Sequence, residues 1–221
     1  MTDGRYRKRL LETDADFESY CMDQNDLSVN ENTCNIDYCT IFNHNQVSTL
    51  ELEIGCGNGH FIFEKALKNP EVCYLANEIK IPIIKKAALK IHKNKLSNVF
   101  FLRGDIHFFL KRFADLSFNC VYINFPDPWP KKRHIKRRLI NQNFLDIIYS
   151  KLKINGSLFF VSDSKNYIDY SINQFIIFRK FVPGIENFGF TNELPDYPQS
   201  LFESVFRRQN IPIYYTFYYK K

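Results

Sequence analysis

No stretch of this 221-residue chain is apolar for long enough to cross a membrane, and its amino terminus lacks the apolar core of a signal peptide. Those two absences predict a cytoplasmic protein. Internal repeats and low-complexity linkers are missing as well, so the length fits one α/β domain with a sizeable core. The six cysteines stand scattered at 21, 34, 39, 56, 73 and 120. Cys34 and Cys39 have no second pair at metal-ligand spacing, so reduced thiols are expected and no metal site. Lys and Arg are absent from Leu11 to Leu50, a stretch that holds eight acids. Only one tryptophan, Trp129, is present.

What is present is basic. From Glu51 to the end, 26 Lys and Arg face 15 Asp and Glu, which favours a polyanionic partner. Phe and Tyr number 22 and 13, enough to leave some for stacking on bases. Residues 1–35 are polar and poorly patterned and predict an acidic, flexible arm, followed by a single domain over 36–221. From Leu50 on, apolar runs at 50–54, 72–77, 99–103, 118–124, 157–162, about 187–191 and 213–219 read as strands. Helical stretches fall near 60–68, 80–94, 106–114 and 139–152, the last ending at Asn155-Gly156. Such alternation predicts a doubly wound, mostly parallel, seven-stranded sheet with helices on both faces.

Two motifs carry chemistry. The first is Glu51-Leu-Glu-Ile-Gly-Cys-Gly-Asn-Gly-His60, a short strand running into Gly55, Gly57 and Gly59 and then a helix. Glycines let the backbone turn sharply and approach a ligand. The dinucleotide fingerprint would need its third glycine where His60 stands, and no P-loop lysine with Ser/Thr follows. Glu53 beside those glycines is badly placed for a pyrophosphate and well placed for a cation. A second strand ends in Glu78, where an acid can accept from both ribose hydroxyls, and a third ends in Gly104-Asp105, a fitting place for an adenine contact. Acids at successive strand ends, with this glycine loop, resemble the class I methyltransferases that use S-adenosylmethionine. That resemblance implies a Rossmann-like fold and this cofactor.

The second motif is Asn124-Phe-Pro-Asp-Pro-Trp-Pro-Lys-Lys-Arg-His134, followed by Lys136-Arg-Arg-Leu139. A buried strand, 118–124, empties into a loop stiffened by Pro126, Pro128 and Pro130, with Asp127 and Trp129 at its mouth. A strong positive field follows at once. Together they suggest an enzyme working on nucleic acid, although a basic run is also what a solvated face looks like. This motif closely resembles the bacterial tRNA (guanine-N7)-methyltransferases, which act on guanine 46 of the variable loop. The resemblance runs from about Ile36 to the carboxyl terminus and includes Val161-Ser-Asp163 and Ser200-Leu-Phe-Glu203, with Ser200 where the family usually has Thr. It implies cofactor contacts from Glu53, Glu78, Asp105 and Asp127, with Asp127 as the catalytic residue. It also implies substrate contacts from Lys131, Asp163 and Ser200, Leu201, Phe202 and Glu203. Phosphates are expected to meet Lys132, Arg133, Lys136, Arg137 and Arg138. The expected partner is tRNA, with no DNA and no membrane, and the chain acts as a monomer or homodimer.

The chemistry follows from the base itself. Guanine N7 is a lone-pair acceptor without a proton, so its attack on a methyl sulfonium needs no general base. The site must align N7, methyl carbon and sulfur and exclude water. Asp127 then positions the cofactor or accepts from the guanine amino edge; the plainer alternative is a turn residue bonding its own loop. Lys131 has a plainer alternative too, as a phosphate contact only. Two other functions remain open here. A methyltransferase acting on an exocyclic amino group would carry Asp/Asn-Pro-Pro-aromatic, and Asp127-Pro128-Trp129 lacks the second proline. A non-catalytic RNA-binding module would share the basic face but has no use for Glu53, Glu78 and Asp105 together.

Overall fold

The computed structural model describes residues 17–25, 27, 36–43 and 47–221. Among the described residues one eight-stranded sheet runs through the molecule in the order β1-β4-β3-β2-β5-β6-β8-β7. The strands are β1 Cys21–Asp23, β2 Leu50–Ile54, β3 Cys73–Glu78, β4 Val99–Arg103, β5 Phe118–Asn124, β6 Leu152–Ser162, β7 Phe181–Pro183 and β8 Tyr214–Lys220. The first six in spatial order pair in parallel, and β8 and β7 close the edge antiparallel. The sheet is therefore mostly parallel, with one strand more than the seven expected. The added strand is β1, which lies within the stretch expected as an arm. The remainder of that expected 1–35 arm lies outside the described residues, apart from the segment around it.

The helices are α1 Tyr38–Phe42, α2 His60–Lys68, α3 Ile81–Lys93, α4 Ile106–Leu110, α5 Gln142–Lys151, α6 Lys165–Phe178 and α7 Leu201–Arg208. Strand residues alternate between the two faces. On one face Tyr74, Ala76 and Phe101 meet Ile62 and Ala66 of α2 and Ile84, Ala87 and Ile91 of α3. The spacing of Ile84, Ala87, Ala88 and Ile91 puts one apolar stripe of α3 on the sheet. On the other face Leu52, Leu75, Val121, Ile123 and Phe160 meet Phe144 and Ile148 of α5 and Ile168 and Phe175 of α6. Each of the larger side chains among these contributes about 1.5–3 kcal/mol by leaving water, so the two layers fix the strand ends firmly.

Several elements differ from the sequence expectation. Asn155-Gly156 does not stop a helix; Asn155 is left-handed (φ +64) and the pair bulges β6, shifting its register on β5 between Phe118 and Cys120. The strand expected near 187–191 is Phe181–Pro183, while Glu186–Phe188 forms a 3-10 turn and Thr191 keeps only a single bridge to Tyr215. Helices α1, α6 and α7 have no counterpart in the sequence reading; Ser164 caps α6, accepting from the Tyr167 N–H. Among the described residues no helix is long and apolar enough to cross a membrane.

Candidate functional site

β2 and β5 are neighbours, yet the chain leaves β2 toward β3 and leaves β5 toward β6 on the opposite side. The loops after these two strands diverge, and an open sheet binds ligands in the crevice so formed. A cleft of about 470 Å³ lies there, lined by Gly55, Gly57, Glu78, Asp105, Asn124, Asp127, Trp129 and Phe202, among others. That size suits a nucleoside-sized ligand.

The glycine loop after β2 forms one wall. Gly57 and Gly59 are left-handed, at φ +52 and +66. A Cβ on Gly59 would stand 2.8 Å from Ala87 Cβ, so this residue serves the α2–α3 packing. No atom stands within 4 Å of where a Cβ on Gly55 or Gly57 would lie, which leaves that backbone approachable by a ligand. Gly55 and Cys56 donate to the Asn77 carbonyl, both at 2.9 Å, tying the loop to β3. Asn77, buried at the end of β3, donates in turn to Leu102 O (3.0 Å) and Gly104 O (2.9 Å).

The acids stand along the strand ends. Glu78 Oε1 accepts from the Ile79 and Lys80 N–H groups (2.8 and 3.0 Å), and its Oε2 accepts from Gly57 (3.2 Å). Three backbone donors thus fix this carboxylate, whose remaining lone pairs serve the cleft. Asp105 caps α4 by accepting from the His107 N–H (2.9 Å), and the His107 ring lies 3.1 Å from it. The Asp105 N–H donates to Gln24 Oε1 at 2.7 Å, so the residue following β1 is tied to the start of α4. Arg103 and Asp23 pair alongside, holding β1 on β4.

Glu53 lies deeper. It is 2% exposed, and its Oε1 accepts from Asn124 Nδ2 at 3.1 Å. Its Oε2 is buried without a partner. Burial pushes the carboxyl up to about 8, against the pull of the Asn124 hydrogen bond and of the Ile62 backbone N–H, and the Glu78 charge adds to the rise. With Gly55, Gly57, Asn124 and Ser200 to Phe202, Glu53 lines a pocket of about 30 Å³ beside the main cleft. A buried carboxylate with an unpaired oxygen is costly unless a cation or donor meets it.

The loop after β5 forms the facing wall. Phe125 and Trp129 take left-handed backbone (φ +51 and +43), which strains aromatic residues, and Asp127 stands exposed between them. The loop is held at both ends. Phe125 N–H donates to Val161 O (2.8 Å), and Arg138 Nε donates to Pro128 O (2.9 Å). Arg138 is 2% exposed; its Nη2 donates to Asn166 Oδ1 at 2.6 Å and its guanidinium lies over Tyr167 and Tyr170. The expectation that Arg138 meets a phosphate is therefore corrected: it is an internal fastener of the Pro126–Pro130 loop. Lys131, Lys132, Arg133, Lys136 and Arg137 are exposed on and beside the 3-10 turn Lys132–Arg137, with Arg137 4.9 Å over the Trp129 ring.

Asp163 is half-buried just past β6, and neither it nor Lys131 lines the cleft. The Ser200 hydroxyl caps α7, accepting from the Glu203 N–H at 3.1 Å. Leu201 is exposed, and Phe202, 57% exposed, reaches the cleft itself. Glu203 corrects a second expectation. It is 2% exposed, and its Oε1 accepts from Tyr215 OH (2.5 Å) and Arg207 Nε (2.9 Å). It anchors α7 rather than lining the cleft. Asn77, Asn124, Gln24 and Tyr197 were assigned no role from sequence. A polar residue ending an apolar strand was the available signal for Asn77 and Asn124; Gln24 and Tyr197 offered none.

Comparison with known proteins bears on the family and the fold. Residues 47–214 match a family described as "Putative methyltransferase". A tRNA (guanine-N(7)-)-methyltransferase of Syntrophotalea carbinolica is 42% identical over 132 residues, 59% of this chain and 56% of that protein. Another, of Streptococcus equi subsp. zooepidemicus, is 30% identical over 177 residues, 80% of this chain and 83% of that protein. The matches to the first of these relatives thus span little more than half of their length. A 30S ribosomal A1408 methyltransferase from an uncultured bacterium superposes with a TM-score of 0.57 at 16% identity, covering 88% of this chain and 96% of that one. That likeness is one of fold.

Proposed function

This chain belongs to the tRNA (guanine-N7)-methyltransferase family, and on that premise we propose that it transfers the methyl group of S-adenosylmethionine to N7 of guanine 46 in the tRNA variable loop. The observation that carries the reading is one cleft with two opposed sets of groups. Glu78 and Asp105 stand along its strand-end wall, Glu53 lines the small pocket beside it, and Asp127 stands at its mouth beside five exposed cations.

The residues fit the cofactor. The unpaired oxygen of Glu53 suits an ammonium, Glu78 suits paired ribose hydroxyls, and Asp105 suits the amino edge of adenine. Bound there, S-adenosylmethionine supplies an electrophilic methyl on a sulfonium. The chain itself needs no general base, because guanine N7 carries a lone pair and no proton. Asp127 orients the reactants by accepting from the donor edge of guanine or by holding the cofactor. Phe202 and Trp129 flank the cleft with aromatic surface that excludes water and stacks the base. Lys131, Lys132, Arg133, Lys136 and Arg137 meet phosphates and set the register of the tRNA. Ser200, on the small pocket beside the cleft, and Asp163, just past β6, complete the substrate side. The protein acts in the cytoplasm on tRNA rather than DNA, as a monomer or a homodimer.

The test uses purified protein, S-adenosylmethionine carrying a labelled methyl group, and a tRNA transcript with guanine or adenine at position 46. Nuclease digestion and mass spectrometry should place one methyl at that guanine and none on the adenine transcript. Label at another base, or none on either transcript with cofactor bound, would overturn the reading.

A further inference from the structure

A hydrogen-bond chain runs from the loop preceding α7 to the floor of the cleft. Tyr197 OH donates to Asn124 Oδ1 at 2.7 Å, and Asn124 Nδ2 donates to Glu53 Oε1 at 3.1 Å. The Tyr197 ring is packed against Phe61, Tyr122, Phe159 and Tyr215, with centroids 5.0 to 6.1 Å away. Burial pushes its phenol well above the usual range, so the hydroxyl stays a donor throughout the working pH range. An amide has an acceptor side and a donor side. With Tyr197 donating to the oxygen, Asn124 has only its N–H side left for Glu53. Turned the other way, the amide would set oxygen against oxygen. Glu53 Oε1 is thereby engaged, and Oε2 is the oxygen left without a partner.

We propose that Tyr197 is a positioning residue for the cofactor's amino-acid end: its hydroxyl orients Asn124, which orients Glu53 so that Oε2 meets the bound ammonium. The inference rests on the cofactor reading above. It gives the loop that leads into Ser200 and the start of α7 a second task, since Tyr197 lies three positions before Ser200. The substrate wall and the cofactor floor are then one hydrogen-bonded unit.

Calorimetric binding of S-adenosylmethionine tests this with the wild type, Tyr197→Phe, Asn124→Ala and the double variant, from pH 6 to 9. Tyr197→Phe keeps the ring and its packing and removes only the hydroxyl. Its affinity should fall roughly three- to tenfold, the worth of one buried hydrogen bond. Added to Asn124→Ala, it should cost nothing further, because the relay is already cut.

The pH profile adds a readout that packing alone would not move. Affinity should rise with pH as Glu53 ionises, and that limb should lie at higher pH in Tyr197→Phe, where the Asn124 donor no longer faces the carboxyl. Two titratable groups beside Glu53 are displaced from their usual ranges. Burial, with help from Glu53 and Glu78, pushes the Cys56 thiol well up, and burial and the Lys90 charge hold His60 below its usual range. Glu78, the remaining acid that faces Glu53, raises it through charge alone. The falling limb belongs to the ligand's own α-amino group, near about 8, and should not move between proteins. Wild-type binding with Tyr197→Phe equal in affinity and profile, or with losses that add in the double variant, would overturn the relay alone. Absence of wild-type binding would overturn the cofactor reading and the relay with it.

Discussion

Arg138→Ala separates the two tasks that the basic block combines. In the folded protein this guanidinium donates to Pro128 O and Asn166 Oδ1, at 2.9 and 2.6 Å, and lies 4.8 and 4.7 Å from the centres of the Tyr167 and Tyr170 rings. Hydrogen bonds from a charged donor are worth about 1.5–3 kcal/mol each, and a desolvated cation over an aromatic ring adds up to about 2. These contributions share one side chain and do not sum fully, so about 3–5 kcal/mol is expected. For a chain of this size that lowers the melting temperature by about 6–20 °C. Arg138→Lys restores the charge but neither the fork nor the flat stacking face, and should recover less than half of the loss. Lys136→Ala and Arg137→Ala, both exposed, should melt within about 2 °C of the wild type. Thermal denaturation followed by circular dichroism decides the matter. An Arg138→Ala protein that melts with the wild type while losing tRNA affinity would refute the fastener role and restore the phosphate contact.

Three further outcomes are expected. Glu78→Ala should weaken S-adenosylmethionine binding at least tenfold in calorimetry, since a charged acceptor for two hydroxyls is worth about 1.5–3 kcal/mol; unchanged affinity would remove this cleft from consideration. Lys136→Ala with Arg137→Ala should weaken tRNA binding at every sequence and flatten the log-affinity against log-salt slope by about 2 units, whereas parallel slopes would leave them as solvated charge. Glu53 has a pH signature in stability. Its carboxyl is raised from 4.5 to about 8 in the folded protein, so between those values the folded state holds a proton that the unfolded state has lost. Its contribution is therefore greatest below about 4.5 and is lost as pH rises to 8, at up to about 1.4 kcal/mol per pH unit. Urea denaturation of the ligand-free protein across that range should show this slope in the wild type and not in Glu53→Gln; parallel curves would contradict burial as its cause.

The parts of the fold that were legible are those where burial on both faces writes itself into composition. β3, β4 and β5 are largely apolar runs that end in polar or charged residues, β2 alternates Leu50, Leu52 and Ile54 with two glutamates before Gly55, and the structure bounds all four within about a residue of the reading. α6 was not legible because its buried stripe, Tyr167, Ile168, Ser171 and Phe175, mixes polar and aromatic residues. β7 has three residues and ends in proline, too short for any period to register. In the site, the acids at strand ends could be read because chain order places them. The inward turn of Arg138 could not: the 3-10 turn ends at Arg137, and only the extended backbone at Arg138 aims it beneath the loop. Nor could the pairing of Asn124 with Tyr197, which lies 73 residues further along the chain and is brought near by sheet topology alone.

The central claim is that the nucleophile is guanine N7. The most direct measurement compares methyl transfer to tRNA carrying guanine at position 46 with transfer to the same tRNA carrying 7-deazaguanine there, which binds and pairs alike but lacks the nitrogen. One methyl per tRNA is expected on the first and none on the second, with equal affinity for both. Transfer to the 7-deazaguanine tRNA would contradict N7 as the acceptor and point to an exocyclic amino group in its place.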